Sequence, residues 1–299
     1  MPITFDSFAQ WGDHCAATGE PAWQPVLDYE LHQKGRTAQE VWSGIEAAYA
    51  VMLDAIETGL TRDMTSLSGM IRNGAKKIRD CEIEVLGPAF KELIYRAVAA
   101  KEVNSCMGRI VAAPTAGASG ILPGVLSTLQ KHHNLPNSRI YEGILVGAGI
   151  GLIIEKKAGI SGAVGGCQAE TGTAAAMGAG AVVYCLGGSV AQVFDAVAIT
   201  VMNMLGLICD PIAGLVEVPC VKRNASGVVI AFSSAQIALA GDSSIIPVDE
   251  VVEVMGEVGQ SMETRYKETA LGGLAATPTG KAIAERVLTS HATDVEAPE

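Results

Sequence analysis

Apolar residues recur along this chain at intervals of three and four, the spacing that places side chains on one face of an α-helix. Val41, Ile45, Ala48, Met52 and Ile56 form one such stripe. It follows Thr37-Ala38-Gln39-Glu40, a capping box in which the Thr hydroxyl accepts from a free backbone N–H and the Glu carboxylate reaches back. Gly59 offers the stop. Pro88 suits a first helical position and precedes a stripe of Phe90, Leu93, Ile94, Ala97 and Val98. Pro247 opens a third, with Val248, Val251, Val252, Met255 and Val258 on one face and Asp249 and Glu250 at the positive end of the helix dipole. Strand-like alternation is weak, and no Asn-Gly or Asp-Gly turn separates alternating runs. The pattern predicts an all-α, multi-helix fold.

Two stretches are apolar without a stripe. The run over 140–154 is too short to span a bilayer, and that over 179–209 is interrupted by Gly187-Gly188, Gln192, Asp195 and Asn203. Both read as buried central helices, and no membrane association is expected. The 299 residues are 49% apolar, 18% charged and only 5% aromatic, with 34 glycines, so the core must be built from small side chains and closely approaching helices. A formal net charge of -11 argues against nucleic-acid binding, which needs clustered cations. No internal repeat or low-complexity linker divides the chain, so residues 1–299 are read as one domain, with a polar tail over 289–299 expected to fray. The N-terminal MPITFDSFAQWGD lacks the basic-then-apolar order of a secretory leader. Seven cysteines, an odd number in a chain of this size, fit reduced thiols in a cytoplasmic protein.

Chemistry concentrates between about 110 and 224, where APTAGASGILPG, ISGAVGGCQAETG and TAAAMGAGAVVYCLGG crowd small residues together. Tight helix packing and close approach to a ligand explain such segments equally well. Cys15, Cys81, Cys106 and Cys185 stand in apolar or scattered contexts and read as small buried hydrophobes. Cys167, Cys209 and Cys220 differ, because Gly165-Gly166, Pro211 and Pro219 beside them break helices and can aim loop thiols at one point. Three thiolates suit a soft metal or an iron–sulfur cluster. Their separations of 42 and 11 positions contain no CxxC pair, so on spacing alone three unrelated core thiols explain them as well. No HExxH, Walker or GxSxG motif offers a rival mechanism.

APTAGASGILPG (113–124), GGCQAETG (165–172) and CDPIAGLVEVPCVKRNA (209–225) closely resemble the alpha chain of the iron–sulfur-dependent L-serine dehydratases, also called L-serine ammonia-lyases. The resemblance implies an all-helical catalytic domain carrying a 4Fe–4S cluster on Cys167, Cys209 and Cys220, with the fourth iron facing L-serine. It further implies a cytoplasmic, oxygen-sensitive lyase of amino-acid catabolism that forms pyruvate and ammonia. Thr115, Ala116, Gly117, Ser119 and Gly120 lie on a Gly-rich turn before a helix, and such a turn can hold a substrate carboxylate with backbone N–H groups. Lys222, Arg223 and Asn224 follow the last ligand and are candidate substrate contacts, with a solvated helix end as the plain alternative. Glu170 is the candidate acid or base; a helix-start carboxylate explains it as well, and the general base is not identified. His132 and His133 fall at a helix end, where histidines complement backbone carbonyls, and receive no catalytic role.

Single-chain members of that family carry a further domain with a Ser-His-Thr-x-Gly-Pro motif. Here Ser290-His291-Ala292-Thr293-Asp294 departs from it, which implies a separate beta chain and a hetero-oligomer. Some relatives end in a cysteine that caps the cluster, whereas the last cysteine here is Cys220. An L-cysteine desulfidase is the nearest enzymatic alternative, and a metal-stabilised binding module is the non-enzymatic one.

Overall fold

Each of the three amphipathic stripes folds as a helix, started by the residue that the sequence places ahead of it. In the computed structural model, which describes residues 4–295, the elements run α1 (Phe8–Thr18), α2 (Trp23–Gln33), α3 (Ala38–Thr61), α4 (Gly74–Asp80), α5 (Pro88–Ser105), α6 (Ile121–His133), α7 (Asn137–Ala158), α8 (Gly162–Gly165), α9 (Thr173–Cys185), α10 (Val190–Met202), α11 (Cys220–Leu239), α12 (Val248–Ser261) and α13 (Pro278–Val295). Among the described residues there is no strand beyond two isolated bridges, so the all-α reading holds. Of the stretch 289–299, helix α13 carries the chain to Val295, and 296–299 lie outside the described residues.

The capping box forms in both directions: Glu40 N donates to Thr37 Oγ1 at 3.2 Å, and Thr37 N donates to Glu40 Oε2 at 2.8 Å. Helix α3 passes its expected stop and ends at Thr61. Gly59 is instead a point of helix contact, where a Cβ would collide with the carbonyl oxygen of Ala99 on α5. The apolar stretch over 179–209 is two helices rather than one. Helix α9 ends at Cys185, Gly187 adopts φ 86°, and Ser189 and Gln192 form a second capping box that starts α10. No helix among the described residues is long and apolar enough to cross a membrane.

Helix α9, TAAAMGAGAVVYC, is buried at every position and packed on by α6, α7, α10 and α11. A helix surrounded on all sides has no polar face to show, which is why its sequence lacks a stripe. The scarce aromatics gather where α1 meets α10, with Phe8, Trp11 and Phe194 ring to ring. Three segments built of loops and short helical turns (106–120, 159–172 and 203–219) meet around the start of α11 and the end of α5. That meeting point brings the small-residue motifs together.

Candidate metal centre

The segment around Cys167 can be derived residue by residue. Helix α8 ends at Gly165, and Gly166 takes φ 74°, a conformation that a side chain rarely tolerates. Space forbids one too, since a Cβ there would lie 2.7 Å from Met262 Sδ and 2.9 Å from Leu207 O. Cys167 follows, buried, and Gln168–Gly172 forms one wide π-helical turn before α9. Gln168 anchors that turn: its Nε2 donates to Met255 O at 2.9 Å, and its Oε1 accepts from Gly206 N at 2.9 Å. The turn swings Glu170 inward, so that its Oε2 lies 3.9 Å from Cys209 Sγ. Gly162 leaves the room: a Cβ there would stand 2.6 Å from Glu170 Oε2 and 3.1 Å from Cys209 Sγ.

Cys209 is held in extended backbone by a segment in which no motif was noted. Its N–H donates to Tyr266 O at 2.8 Å, and its carbonyl accepts from Glu268 N at 2.8 Å. Asp210 is more than a bend before Pro211. Its buried carboxylate accepts from Leu274 N at 2.7 Å and pairs with Arg223 Nη2 at 2.8 Å. Arg223 then reaches on, its Nη1 donating to Ile208 O at 2.9 Å and to Cys167 Sγ at 3.4 Å. A carboxylate, a guanidinium and a thiol thus form one chain across two loops and a helix.

Cys220 is the first residue of α11 rather than part of a loop, and it too is buried. The three residues after Val221 separate by rotation around that helix. Lys222 is exposed, Arg223 faces Cys167, and Asn224 is fully buried. Asn224 ties the helix to the Gly-rich turn, its Oδ1 accepting from Gly120 N at 2.9 Å and its Nδ2 donating to Gly117 O at 2.8 Å. The Thr115–Gly120 turn therefore abuts the same centre, with Gly117 packed against the Glu170 carboxylate. Among the described residues the buried hydroxyl of Ser119 has no hydrogen-bond partner, the Thr115 side chain stands against the Glu170 carboxylate, and Ala116 is exposed. Lys101, which the sequence reading passed over, lies fully buried behind this turn. It carries no motif, and only its position at the inner end of the α5 stripe hints at burial.

The electrostatics favour one thiolate. The Cys209 thiol donates to Cys167, and with the Arg223 guanidinium this holds Cys167 below the usual thiol range despite its burial. Cys209, as the proton's holder and itself buried, is pushed well above that range. Burial and the charge of Cys167 raise Cys220 to about 12. Burial raises the Glu170 carboxyl and lowers Lys101 to about 8.

The donor atoms of Cys167, Glu170 and Cys209 lie within 4.8 Å of one another, and Cys220, which is not one of that group, senses the charge of Cys167 and Glu170. Three buried soft donors with an open acidic neighbour fit a metal or metal–sulfur group. The remaining cysteines do not join them: Cys15 and Cys185 belong to the apolar core, Cys81 is exposed, and Cys106 is half-buried beyond the end of α5. His132 sits at the end of α6 as expected, yet its Nε2 meets Glu92 Oε2 at 3.1 Å rather than a carbonyl.

Comparison with known proteins identifies the family. The family model described as Serine dehydratase alpha chain matches residues 17–275. The L-serine dehydratase alpha chain of Peptoniphilus asaccharolyticus is 44% identical over 274 residues, 91% of this chain and 94% of its own. A probable L-serine dehydratase alpha chain of Bacillus subtilis is 41% identical over 265 residues, 88% of either chain. The L-serine dehydratase of Streptomyces coelicolor is 38% identical over 257 residues, 84% of this chain but 56% of its own length. With the match running through all three site cysteines and on through the segment that clamps Cys209, the chain belongs to the serine dehydratase alpha chain family.

Proposed function

We propose that this chain is the cluster-bearing catalytic subunit of an L-serine dehydratase, converting L-serine to pyruvate and ammonia. The observation that supports the reading is the close grouping of Cys167, Glu170 and Cys209 from separate segments, with Cys220 buried at the start of α11 and sensing the charge of Cys167. The separation of the three thiols favours a 4Fe–4S cluster over a single ion. A tetrahedral ion with metal–sulfur bonds of about 2.3 Å brings its thiolates to about 3.8 Å from one another. Cys220 lies outside the 4.8 Å group, so a group that reaches all three thiols must be wider. The names of the relatives support the reaction.

When bound, the cluster supplies a Lewis-acidic iron with an open position, which makes the serine β-hydroxyl a better leaving group. This chain's residues supply the rest of the environment. The Cys209 hydrogen bond and Arg223, held by Asp210, both shift Cys167 toward its thiolate form. Glu170, whose carboxyl burial shifts toward its protonated form, is the group of this chain placed to pass a proton to a departing hydroxyl. Asn224 fixes the Gly-rich turn at Gly117 and Gly120, and the Ser119 hydroxyl, which no described residue engages, suits a substrate carboxylate, with Thr115 beside Glu170. Loss of the Cα proton and of water leaves aminoacrylate, which tautomerises and is hydrolysed to the keto acid and ammonia. A separate beta chain with the Ser-His-Thr-x-Gly-Pro motif completes the site and supplies the Cα base. This fits relatives named as alpha chains, and a Streptomyces coelicolor relative nearly twice as long as the matched region. Seven free cysteines suit a reducing cytoplasm, where an exposed iron is protected from oxygen.

Anaerobic purification followed by iron and acid-labile sulfide analysis tests this, with about four of each expected per chain and turnover of L-serine dependent on them. Turnover with zinc alone or with no metal overturns it, and sulfide release from L-cysteine without serine turnover moves the assignment to a desulfidase. The Cys167–Glu170–Cys209 grouping carries the second reading, a single-ion structural site in a binding module, for which one zinc and no sulfide is the signature.

A further inference from the structure

Two cations stand by the thiol centre, and they reach it from different helices. Arg223 approaches Cys167 from α11 and is itself paired with Asp210 at 2.8 Å. Lys101 comes from the inner end of α5 and is fully buried. Its Nζ donates to Asn104 Oδ1 at 2.6 Å, to Val216 O at 2.8 Å and, weakly, to Ser105 Oγ at 3.5 Å. These three acceptors use the three donors of an ammonium, so Lys101 is closed to any ligand. What it touches is the frame of the centre. Val216 stands four positions before Cys220, and Val221 N donates to Glu217 O at 3.0 Å, so the held segment runs directly into α11. On its other side, the stem of Lys101 packs under the Gly-rich turn, where a Cβ on Gly120 would lie 3.0 Å from Lys101 Cβ.

Holding a carbonyl oxygen needs a hydrogen-bond donor but no charge. A buried ammonium is costly unless anions balance it. The acceptors of Lys101 are all neutral, and the anions around it belong to the centre and to Glu217. Burial lowers the ammonium to about 8, and the charges that oppose this are those of Cys220 first, then Glu170 and Glu217. The effect is mutual. Burial and the charge of Cys167 raise the Cys220 thiol, and of the two cations that draw it back Lys101 outweighs Arg223.

Resting on the activity proposed above, we propose that Lys101 is a positioning residue for the cluster: its buried charge balances the Cys220 thiolate while its donors fix the 215–217 segment that leads into that ligand. Arg223 does the same for Cys167, so two ligand thiolates each have a cation of their own, one from α5 and one from α11.

Two variants of the anaerobic holoenzyme test this. Lys101→Met is close to isosteric and removes charge and donors together, whereas Lys101→Gln keeps a neutral donor and serves where the Met variant folds poorly. In both, iron should pass to a chelator about 10- to 100-fold faster than from the unaltered protein. The reduction potential of the bound cluster should fall in both, because a nearby positive charge favours the more negative, reduced state. Fast release should persist when Glu217→Gln is added to Lys101→Met. A lysine that serves packing alone gives a different pattern: Lys101→Gln releases iron at the unaltered rate and the potential does not move, and that result overturns the proposal. Full recovery of iron retention in the double variant overturns it too, by assigning the charge to Glu217. Failure of the activity reading shows in the unaltered protein, as absent sulfide or serine turnover, whereas failure of this one shows only between variants. If the unaltered protein holds zinc instead, its release rate reads Lys101 in the same way.

Discussion

Cys185 and Cys167 are about equally buried, at 4% and 2% exposure, yet their surroundings differ in kind. Cys185 closes α9 inside the apolar core, where its thiol donates to Arg139 O at 3.3 Å and burial pushes it up to about 12. Cys167 has a thiol donor in Cys209 and a guanidinium in Arg223, with Glu170 at hand, and it is shifted down. On the proposed assignment, burial is therefore not what marks a metal site. The mark is burial together with groups that stabilise the anion a ligand thiolate must become.

The largest expected effect tests that contrast directly. Cys209→Ala should abolish bound iron, sulfide and serine turnover together, while Cys185→Ala should retain all three at near unaltered levels. Cys185→Ala removes a small buried group and should lower stability by roughly 1 kcal/mol, measurable by thermal unfolding. If both substitutions strip the iron, the distinction between core thiol and ligand thiol fails.

Next in size is the support behind the ligand. Arg223→Gln removes the cation on Cys167, and Asp210→Asn leaves that cation without its charged partner. Each should weaken metal retention by about 10- to 100-fold, the usual range for groups that orient a ligand, as read by the rate of iron release to a chelator. Arg223→Gln should exceed Asp210→Asn, because it acts on the thiolate itself. Equal retention in all three proteins would confine Arg223 to a packing role.

How much of this could be read from the chain depends on distance in sequence. The stripes behind α3, α5 and α12 and the capping box at Thr37 are local, and each produced its helix. The three proposed site cysteines stood out because Gly166, Pro211 and Pro219 lie within two positions of them. Lys101 did not, because its burial comes from the 215–217 segment folding over α5, a contact more than a hundred positions away. The clamp on Cys209 by Tyr266 and Glu268 is made through backbone groups, which every residue type possesses, so no side-chain pattern announces it. Glu170 could not be separated from a helix-start carboxylate, since a π-helical turn and not an ordinary one aims it inward.

A smaller effect asks whether a buried anion surrounded by cations implies chemistry at all. Glu92 accepts from Arg96 Nη2 at 2.6 Å and Lys131 Nζ at 2.7 Å and meets His132 Nε2 at 3.1 Å. Burial alone would raise its pKa, but these partners hold it at about 2, below its ordinary 4.5. A depressed carboxylate contributes stability that is present above its unfolded pKa and is lost as pH falls through the folded one. Glu92→Gln should therefore cost roughly 1–2 kcal/mol at neutral pH, discounted because Lys131 is largely exposed. The difference should hold above about pH 4.5 and shrink toward zero near pH 2. Activity at neutral pH should be unaffected, because this cluster joins α5 to α6 away from the thiols. A change in serine KM would break the separation between electrostatic support of the fold and that of the site.

The smallest effect is expected at Lys222, and it bears on how a charged triplet is read. Lys222, Arg223 and Asn224 are consecutive, so on α11 they point about 100° apart. Asn224 holds the Gly-rich turn and Arg223 holds Cys167, which leaves Lys222 on the solvent side. Lys222→Ala should leave iron content and kcat unchanged and move KM for L-serine by less than about twofold, since an exposed charge is screened at physiological salt. The proposed partner chain makes this prediction informative. A larger rise in KM that vanishes in high salt would place Lys222 at the contact with that chain. A rise that persists in high salt would instead return it to the substrate and break the assignment by helix face.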